Sequence, residues 1–360
     1  MARRNAISGK VMTVTGPVEP QALGITNPHE HIFIDFLASR RGLEESHKAA
    51  AMKPPGFVDE WTAPLSLANY YHARRNPFLL EDTLRLASFA DAVAALSVYK
   101  SLGGGCIVDV TPIGLGRNPA ALRRLALELD LPIVMGTGFY VAEYHPADLA
   151  DASEEALGDR MLSEICQGTD APDLRPGIIG EIGLSWPVRE PERKVLRAAA
   201  RVQRRTGYCL TIHPGRDPRA PMDAIRTIES AGGDPTRTIV DHLDRTLFDI
   251  ADFVELARTG CYLEQDLFGW ETAYYPLAGI AMPNDAIRLA AVMALIDKGF
   301  GAQLLVSMDV DTKTRLSQYG GEGYHHIIAN VVPMMRAGGL DQAEIDRLIR
   351  SNPQRALAIA

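Results

Sequence analysis

Apolar and polar positions along this chain form a repeated pattern of short apolar runs separated by longer amphipathic stretches. The runs have the length of buried strands, and the stretches between them have helical spacing and often end in glycine. Eight runs predict strands, at 24–31, 105–111, 132–140, 177–185, 209–215, 238–244, 261–267 and 303–310. Eight strands, each followed by a helix, predict an α/β protein of the (β/α)8 TIM-barrel class. An open doubly wound sheet is the alternative, but its usual glycine-rich turn after the first strand is absent.

One segment interrupts this pattern. Residues from about 38 to 80 contain polar clusters, Pro54-Pro55 and several aromatic residues without a regular period. We interpret them as a loop or subdomain inserted after the first strand. Since α/β barrels of this length commonly form one unit, residues 1–360 are predicted to be a single domain.

Composition narrows the classes of function. Of the 360 residues 46% are hydrophobic and 23% charged, as in ordinary soluble globular proteins. The net charge of -8, without a basic stripe, argues against a nucleic-acid partner. The chain has neither a signal-peptide pattern nor an apolar run long enough to span a membrane, so we expect no membrane partner. The four cysteines are widely spaced, as in reduced cytoplasmic proteins.

Candidate chemistry begins in the first strand, in "TNPHEHIFID". His29 and His31 lie two residues apart and share one face of a strand, whereas Glu30 faces the other way. Taken alone, the motif fits a metal site, an acid/base pair or a polar strand end. Catalytic residues of such barrels project from the carboxyl ends of the strands. Corresponding positions of later strands carry Glu181, His213, His242 and Asp309.

These six side chains together favour the metal interpretation. Four histidines and two carboxylates exceed the four ligands of one tetrahedral zinc ion. They suit two divalent ions that share a carboxylate and a hydroxide. The ligand types alone fit zinc, manganese, iron or cobalt.

Several motifs resemble the phosphotriesterase-like family of the amidohydrolase superfamily. They are "HEH", "GTGFY", "GIIGEIG", "TGYCLTIHPG", "IVDHLD" and "LLVSMD", and the resemblance covers nearly the whole chain outside 38–80. It implies two metal ions, usually zinc. By this resemblance His29, His31 and Asp309 hold the more buried ion, and His213 and His242 hold the more exposed one.

The position that bridges the two metals departs from the best-known pattern of that family. Many members use a carboxylated lysine, but "GIIGEIG" places Glu181 there. This glutamate resembles the "homology protein" subgroup of the family and points away from the members that degrade organophosphates.

The expected activity is hydrolysis of a carboxylic ester or lactone by a metal-bridging hydroxide, with Asp309 shuttling the proton to the leaving group. Three alternatives remain open: phosphotriester or phosphodiester hydrolysis, amide or N-acyl hydrolysis, and a non-catalytic small-ligand-binding protein on the same scaffold. Relatives in the resembled family are often dimers, so a homodimer is a further expectation. Loops after the third, seventh and eighth strands supply candidate substrate contacts: Tyr140, His145, Asp266, Phe268, Trp270, Tyr275, Lys313 and Arg315.

Overall fold

The computed structural model describes residues 7–39, 42, 44, 61–149, 151–272, 275 and 277–360. Two short antiparallel pairs flank the main sheet: β1 (Val11–Thr13) with β2 (Gly16–Val18), and β4 (Ile34–Asp35) with β5 (Arg85–Leu86). Eight parallel strands, neighbours in chain order, form the barrel: β3 (Ile25–Glu30), β6 (Gly104–Asp109), β7 (Ile133–Thr137), β8 (Ile178–Gly183), β9 (Leu210–His213), β10 (Thr238–Val240), β11 (Tyr262–Gln265) and β12 (Leu304–Val306). The predicted (β/α)8 barrel is confirmed.

Helices surround this barrel. The α-helices of the described residues are α1 (Leu67–Arg75), α2 (Phe89–Ser101), α3 (Pro119–Leu129), α4 (Glu154–Gln167), α5 (Glu190–Thr206), α6 (Ala220–Ser230), α7 (Ile250–Ala257), α8 (Asp285–Asp297), α9 (Val332–Ala337), α10 (Gln342–Asp346) and α11 (Asn352–Leu357). Two π-helical segments, Ile327–Val331 and Arg347–Ser351, precede α9 and α11. Side-chain oxygens cap α2, α3 and α4 at Ser88, Asn118 and Ser153, which satisfies N–H groups that the first turn leaves free.

The carboxylate of Glu192 connects α5 to two loops at the carboxyl end of the barrel. It is completely buried and accepts hydrogen bonds from the backbone N–H groups of Ser185 and Arg189 and from that of Ala142. It therefore caps the start of α5 and also holds the loops that follow β7 and β8. This helix places its apolar residues, among them Val195 and Val202, against the strands.

The barrel closes between β12 and β3 with the help of a side chain. The N–H of Asp309 donates to the carbonyl of His29 at 3.2 Å. The buried carboxylate of Glu30 accepts from the backbone N–H of Met308 at 3.1 Å and of Val310 at 2.9 Å. Glu30 thus supplies hydrogen bonds that a neighbouring backbone supplies elsewhere in the sheet.

Apolar side chains fill both sides of the strands. In β6, Cys106 and Val108 belong to one buried cluster while Ile107 belongs to another, as the two-residue period of a strand requires. Cys106, Cys209 and Cys261 are buried and unpaired. Among the described residues, none of the helices has both the length and the apolar character needed to cross a membrane.

Much of the predicted insertion at 38–80, namely residues 40, 41, 43 and 45–60, lies outside the described residues. Its described end contains α1 and a 3₁₀ turn at Pro77–Leu79. Tyr70 donates to the carbonyl of Gly320 at 2.6 Å, and Arg74 pairs with Glu322 at 2.5 Å. This part of the segment therefore packs on the loop that follows β12.

Candidate metal centre

The six residues predicted to bind metal lie together at the carboxyl end of the barrel. Each of them is at least nine-tenths buried. His29 lies in β3, and His31 follows the end of that strand directly. The other side chains come from β8, β9 and the residues just beyond β10 and β12: Glu181, His213, His242 and Asp309. The sheet brings together residues up to 280 positions apart because parallel strands end at one edge.

One half of the centre contains the two histidines of the first barrel strand. Nε2 of His31 lies 3.3 Å from Oδ1 of Asp309 and 3.4 Å from Oε1 of Glu181. Nε2 of His29 lies 3.6 Å from the same Asp309 oxygen and has no hydrogen-bond partner despite complete burial. Donor atoms of a tetrahedral zinc site lie about 3.4 Å apart, given bonds of about 2.1 Å. These atoms therefore fit a divalent ion.

The other half contains His213 and His242. Nδ1 of His213 lies 3.0 Å from Oε2 of Glu181 and 2.8 Å from Nε2 of His242. Glu181 thus turns one carboxylate oxygen toward each half. That is the arrangement a carboxylate needs to bridge two ions.

Hydrogen-bond acceptors orient two of these rings. Nδ1 of His31 lies 2.8 Å from Oγ1 of Thr111, and Nδ1 of His242 lies 2.8 Å from Oδ1 of Asp266. Nδ1 of His29 faces Asp241 at 3.5 Å. In all three rings the opposite nitrogen, Nε2, faces the centre. For His31 and His242 this is the arrangement of a metal-binding histidine whose other nitrogen is held by an acceptor.

The charges at the centre also suit a cation. Burial opposes the ionised form of Glu181, but hydrogen bonding and attraction from His213 bring the pKa of Glu181 well below its usual range. Burial likewise opposes a protonated His31, yet Asp309 and Glu181 raise the pKa of this imidazole to about 9. Metal binding to this ring therefore displaces a proton.

Two of the positions predicted to bind metal adopt unusual backbone conformations. His242 has φ of 53° and Asp309 has φ of 49°, in the left-handed region that residues other than glycine rarely occupy. Such conformations cluster at functional sites, where the surrounding structure holds a side chain in position. After His242 the chain turns into a short 3₁₀ helix, Leu243–Arg245, which returns toward the centre.

A cavity of about 490 Å³ opens above the centre. Of the predicted substrate contacts, Tyr140, Trp270 and Tyr275 line it. The hydroxyl of Tyr140 lies 3.3 Å from Nδ1 of His213, so this side chain reaches the centre itself.

The other predicted contacts are placed behind the cavity wall or away from it. His145 donates through Nε2 to the carbonyl of Tyr140, and Asp266 lies completely buried against His242. Phe268 is completely buried in the core. Lys313 pairs with Asp82 at 2.7 Å, and the buried Arg315 donates to the carbonyl groups of Phe268 and Met308.

Two cavity residues were not predicted from the sequence. Arg216 and Arg245 each follow a metal-site histidine by three residues, in "HPGR" and "HLDR". Both line the cavity. Burial and the charge of Arg216 lower the pKa of Arg245. The repeated spacing after His213 and His242 is the signal in the sequence that could have found them.

A (β/α)8 barrel with histidines and carboxylates gathered at the carboxyl ends of its strands is typical of barrel hydrolases that use metal ions. Comparison with known proteins agrees with this class. The model of the phosphotriesterase family matches residues 9–357, and the chain belongs to that family. The family resemblance noted in the sequence is therefore confirmed, and the chain is a hydrolase of this family.

Individual proteins resemble the chain over nearly its full length. The N-acetyltaurine hydrolase of Danio rerio is 40% identical over 353 residues, which are 98% of this chain and 98% of that protein. A resiniferatoxin-binding protein from Rhodobacter sphaeroides has a crystal structure that is similar with a TM-score of 0.89 and 33% identity, covering 98% of this chain and 96% of that one. A mutant phosphotriesterase-like lactonase from Deinococcus radiodurans has a TM-score of 0.72 and 26% identity, covering 96% and 99%.

Proposed function

We propose that this protein is a two-metal hydrolase that cleaves the amide bond of small N-acyl amines. The observation that carries the metal part is the placement of Glu181, whose two oxygens lie 3.4 Å from Nε2 of His31 and 3.0 Å from Nδ1 of His213. A carboxylate between two pairs of imidazoles is suited to bridge two ions. The histidine and carboxylate donors suit zinc among other divalent ions.

His29, His31 and Asp309 would hold one ion and His213 and His242 the other, with Glu181 shared between them. Bound there, the two ions would supply an activated water and polarise the acyl oxygen of the substrate. The chain itself handles the proton. Burial opposes the ionised form of Asp309, but hydrogen bonding to His31 and attraction from nearby imidazoles lower its pKa, and this side chain lines the cavity. It would accept the proton of the attacking water and deliver it to the leaving amine.

The choice of an amide as the substrate rests on the similarity of this chain to a relative named for amide hydrolysis. A protein named N-acetyltaurine hydrolase shares 40% of its residues with this chain over 98% of both lengths. An amine leaves an acyl group only after it receives a proton, and Asp309 is placed to give one. Ester or lactone hydrolysis, the activity favoured by the sequence motifs, is the second candidate. It is supported by the similarity to a phosphotriesterase-like lactonase.

A non-catalytic binding role is the remaining alternative, since one similar structure is named a resiniferatoxin-binding protein. Six converging donors argue for catalysis, because a cavity that only binds an organic ligand has no need of them. Phosphotriester hydrolysis is less favoured because, by the family resemblance, Glu181 stands where many members carry a carboxylated lysine, and this departure points away from the members that degrade organophosphates.

A substrate panel tests the proposal. Zinc-loaded protein is assayed with N-acetyltaurine, N-acetyl-β-alanine, an aryl acetate, a γ-lactone and an aryl phosphotriester, each with and without prior chelation. We expect the highest kcat/KM for an N-acyl amine, abolished by the chelator and by Asp309→Asn. A lactone or phosphotriester turned over at least about tenfold better than every amide (about 1.4 kcal/mol in barrier) would contradict it.

A further inference from the structure

Two guanidinium groups face the cavity beside the candidate metal centre. Arg245 is buried, with Nη2 3.1 Å from Nε2 of His213. Arg216 is exposed to the cavity, and its Nε donates to the hydroxyl of Tyr275 at 3.1 Å. The two side chains come from different loops, one after β9 and one after β10. They therefore approach the same space from two directions.

Neither guanidinium has a carboxylate partner among the residues that the structure describes. Other arginines of the barrel do: Arg288, also buried, pairs with Asp244 at 2.8 Å and Asp285 at 3.0 Å, and Arg189 at the cavity rim pairs with Glu143. Arg245 is the buried one of the two, and a buried cation without a counter-ion is unfavourable. An anionic group in the cavity would offset that cost.

The position of this pair relative to the centre sets the shape of the ligand. The imidazole of His213 stands between Arg245 and the centre, with Nε2 toward Arg245 and Nδ1 toward Glu181. A substrate that reaches from the centre to the guanidinium must therefore extend past one imidazole ring. A linker of about two or three atoms between the scissile acyl–nitrogen bond and an anionic group has that length. Guanidinium groups bind oxyanions through two parallel N–H donors, so two of them match a sulfonate or a carboxylate.

We propose that Arg216 and Arg245 form an anion subsite that selects N-acyl amines bearing a sulfonate or carboxylate a short linker away from the amide. The subsite rests on the proposed function for its substrate class. Tyr275 is a positioning residue within it, because its hydroxyl accepts from Arg216 and fixes the direction of that guanidinium.

Kinetics with matched substrates separate this role from a structural one. Four zinc-loaded proteins are compared: wild type, Arg216→Gln, Arg245→Gln and the control Arg226→Gln, which changes an exposed arginine of α6. Each is assayed with N-acetyltaurine, N-acetyl-β-alanine and the neutral N-propylacetamide. We expect KM for the anionic amides to rise about 10- to 100-fold in both cavity variants, as loss of a charged hydrogen bond requires. With the neutral amide, Arg216→Gln should stay within about twofold of wild type, and the control variant should do so with all three substrates. Comparison of the two anionic amides shows which oxyanion the pair prefers.

Binding provides a second readout that does not depend on turnover. Propane-1-sulfonate and butanoate are titrated into the same four proteins by calorimetry, and both cavity variants should bind them about tenfold or more weakly. Arg216→Gln removes an exposed side chain, so its fold is expected to persist even if Arg245→Gln unfolds.

The outcomes distinguish the two proposals. Arginine-dependent sulfonate binding without hydrolysis of any amide would leave the subsite standing and contradict the proposed function. Amide hydrolysis that the Arg216→Gln variant leaves unchanged for anionic substrates would overturn the subsite alone. Equal losses for anionic and neutral amides in Arg216→Gln would also overturn it, since that pattern indicates a disturbed centre.

Discussion

Replacing Asp266 by asparagine tests how the metal centre is held in position. One oxygen of this buried carboxylate lies 2.8 Å from Nδ1 of His242, and the other accepts from the backbone N–H of His242 at 3.0 Å. An asparagine keeps one acceptor and turns an NH₂ group toward the second donor. Either the ring or the backbone of His242 must then lose its partner, while the side-chain volume is almost unchanged.

The expected size follows from these contacts. Loss of one hydrogen bond to a charged acceptor is worth about 1.5–3 kcal/mol. Loss of the acceptor that orients a metal-binding histidine typically lowers metal affinity about 10- to 100-fold, or about 1.4–2.8 kcal/mol. We therefore expect zinc to bind the half of the centre that contains His242 about 10- to 100-fold more weakly in Asp266→Asn.

Competition with a chromophoric chelator measures this affinity in apo protein. Asp252→Asn, an exposed change on α7, is the matched control and should behave as wild type. Circular dichroism verifies that the Asp266→Asn protein is folded. Zinc affinities within about twofold of wild type in a folded variant would refute the idea that Asp266 positions the ring.

Three further substitutions have defined outcomes. Glu181→Gln should lower the zinc content, measured by mass spectrometry, from about two to about one per chain, since an amide bridges poorly; unchanged content would argue against a bridge. Arg288→Met should lower the free energy of unfolding in urea by about 3–5 kcal/mol, because Asp244 is left buried and unpaired; a loss below about 1 kcal/mol would contradict this. Glu30→Gln should lower the free energy of unfolding of the zinc-free protein by about 1–3 kcal/mol, because the NH₂ group of the glutamine would face the N–H of Val310. An unchanged urea midpoint would show that Glu30 does not stabilise the barrel closure.

The barrel and the gathering of six side chains at one end of it could be predicted from the sequence because both follow from strand geometry. A two-residue spacing puts His29 and His31 on one face, and parallel strands gather their carboxyl ends. Strand lengths were harder to predict. The apolar run 132–140 gives a strand only at Ile133–Thr137. Gly138, directly after it, has φ of 144°, and Phe139 is buried although it lies outside the strand.

Side-chain direction in the loops could not be read from the pattern. Asp266 comes directly after β11, and only the folded chain shows that it turns toward His242. Arg216 and Arg245 are charged loop residues, which in most proteins are solvated. Whether a cation lacks a counter-ion depends on which other loops pack around it, and a single sequence does not contain that arrangement.

The metal content of the protein tests the central claim most directly. Apo protein is loaded with excess zinc, desalted and measured by mass spectrometry against protein concentration. The account predicts about two zinc ions per chain, with hydrolysis of N-acetyltaurine appearing as both sites fill. A folded protein that retains no zinc, or that hydrolyses the amide equally well without it, would contradict the account.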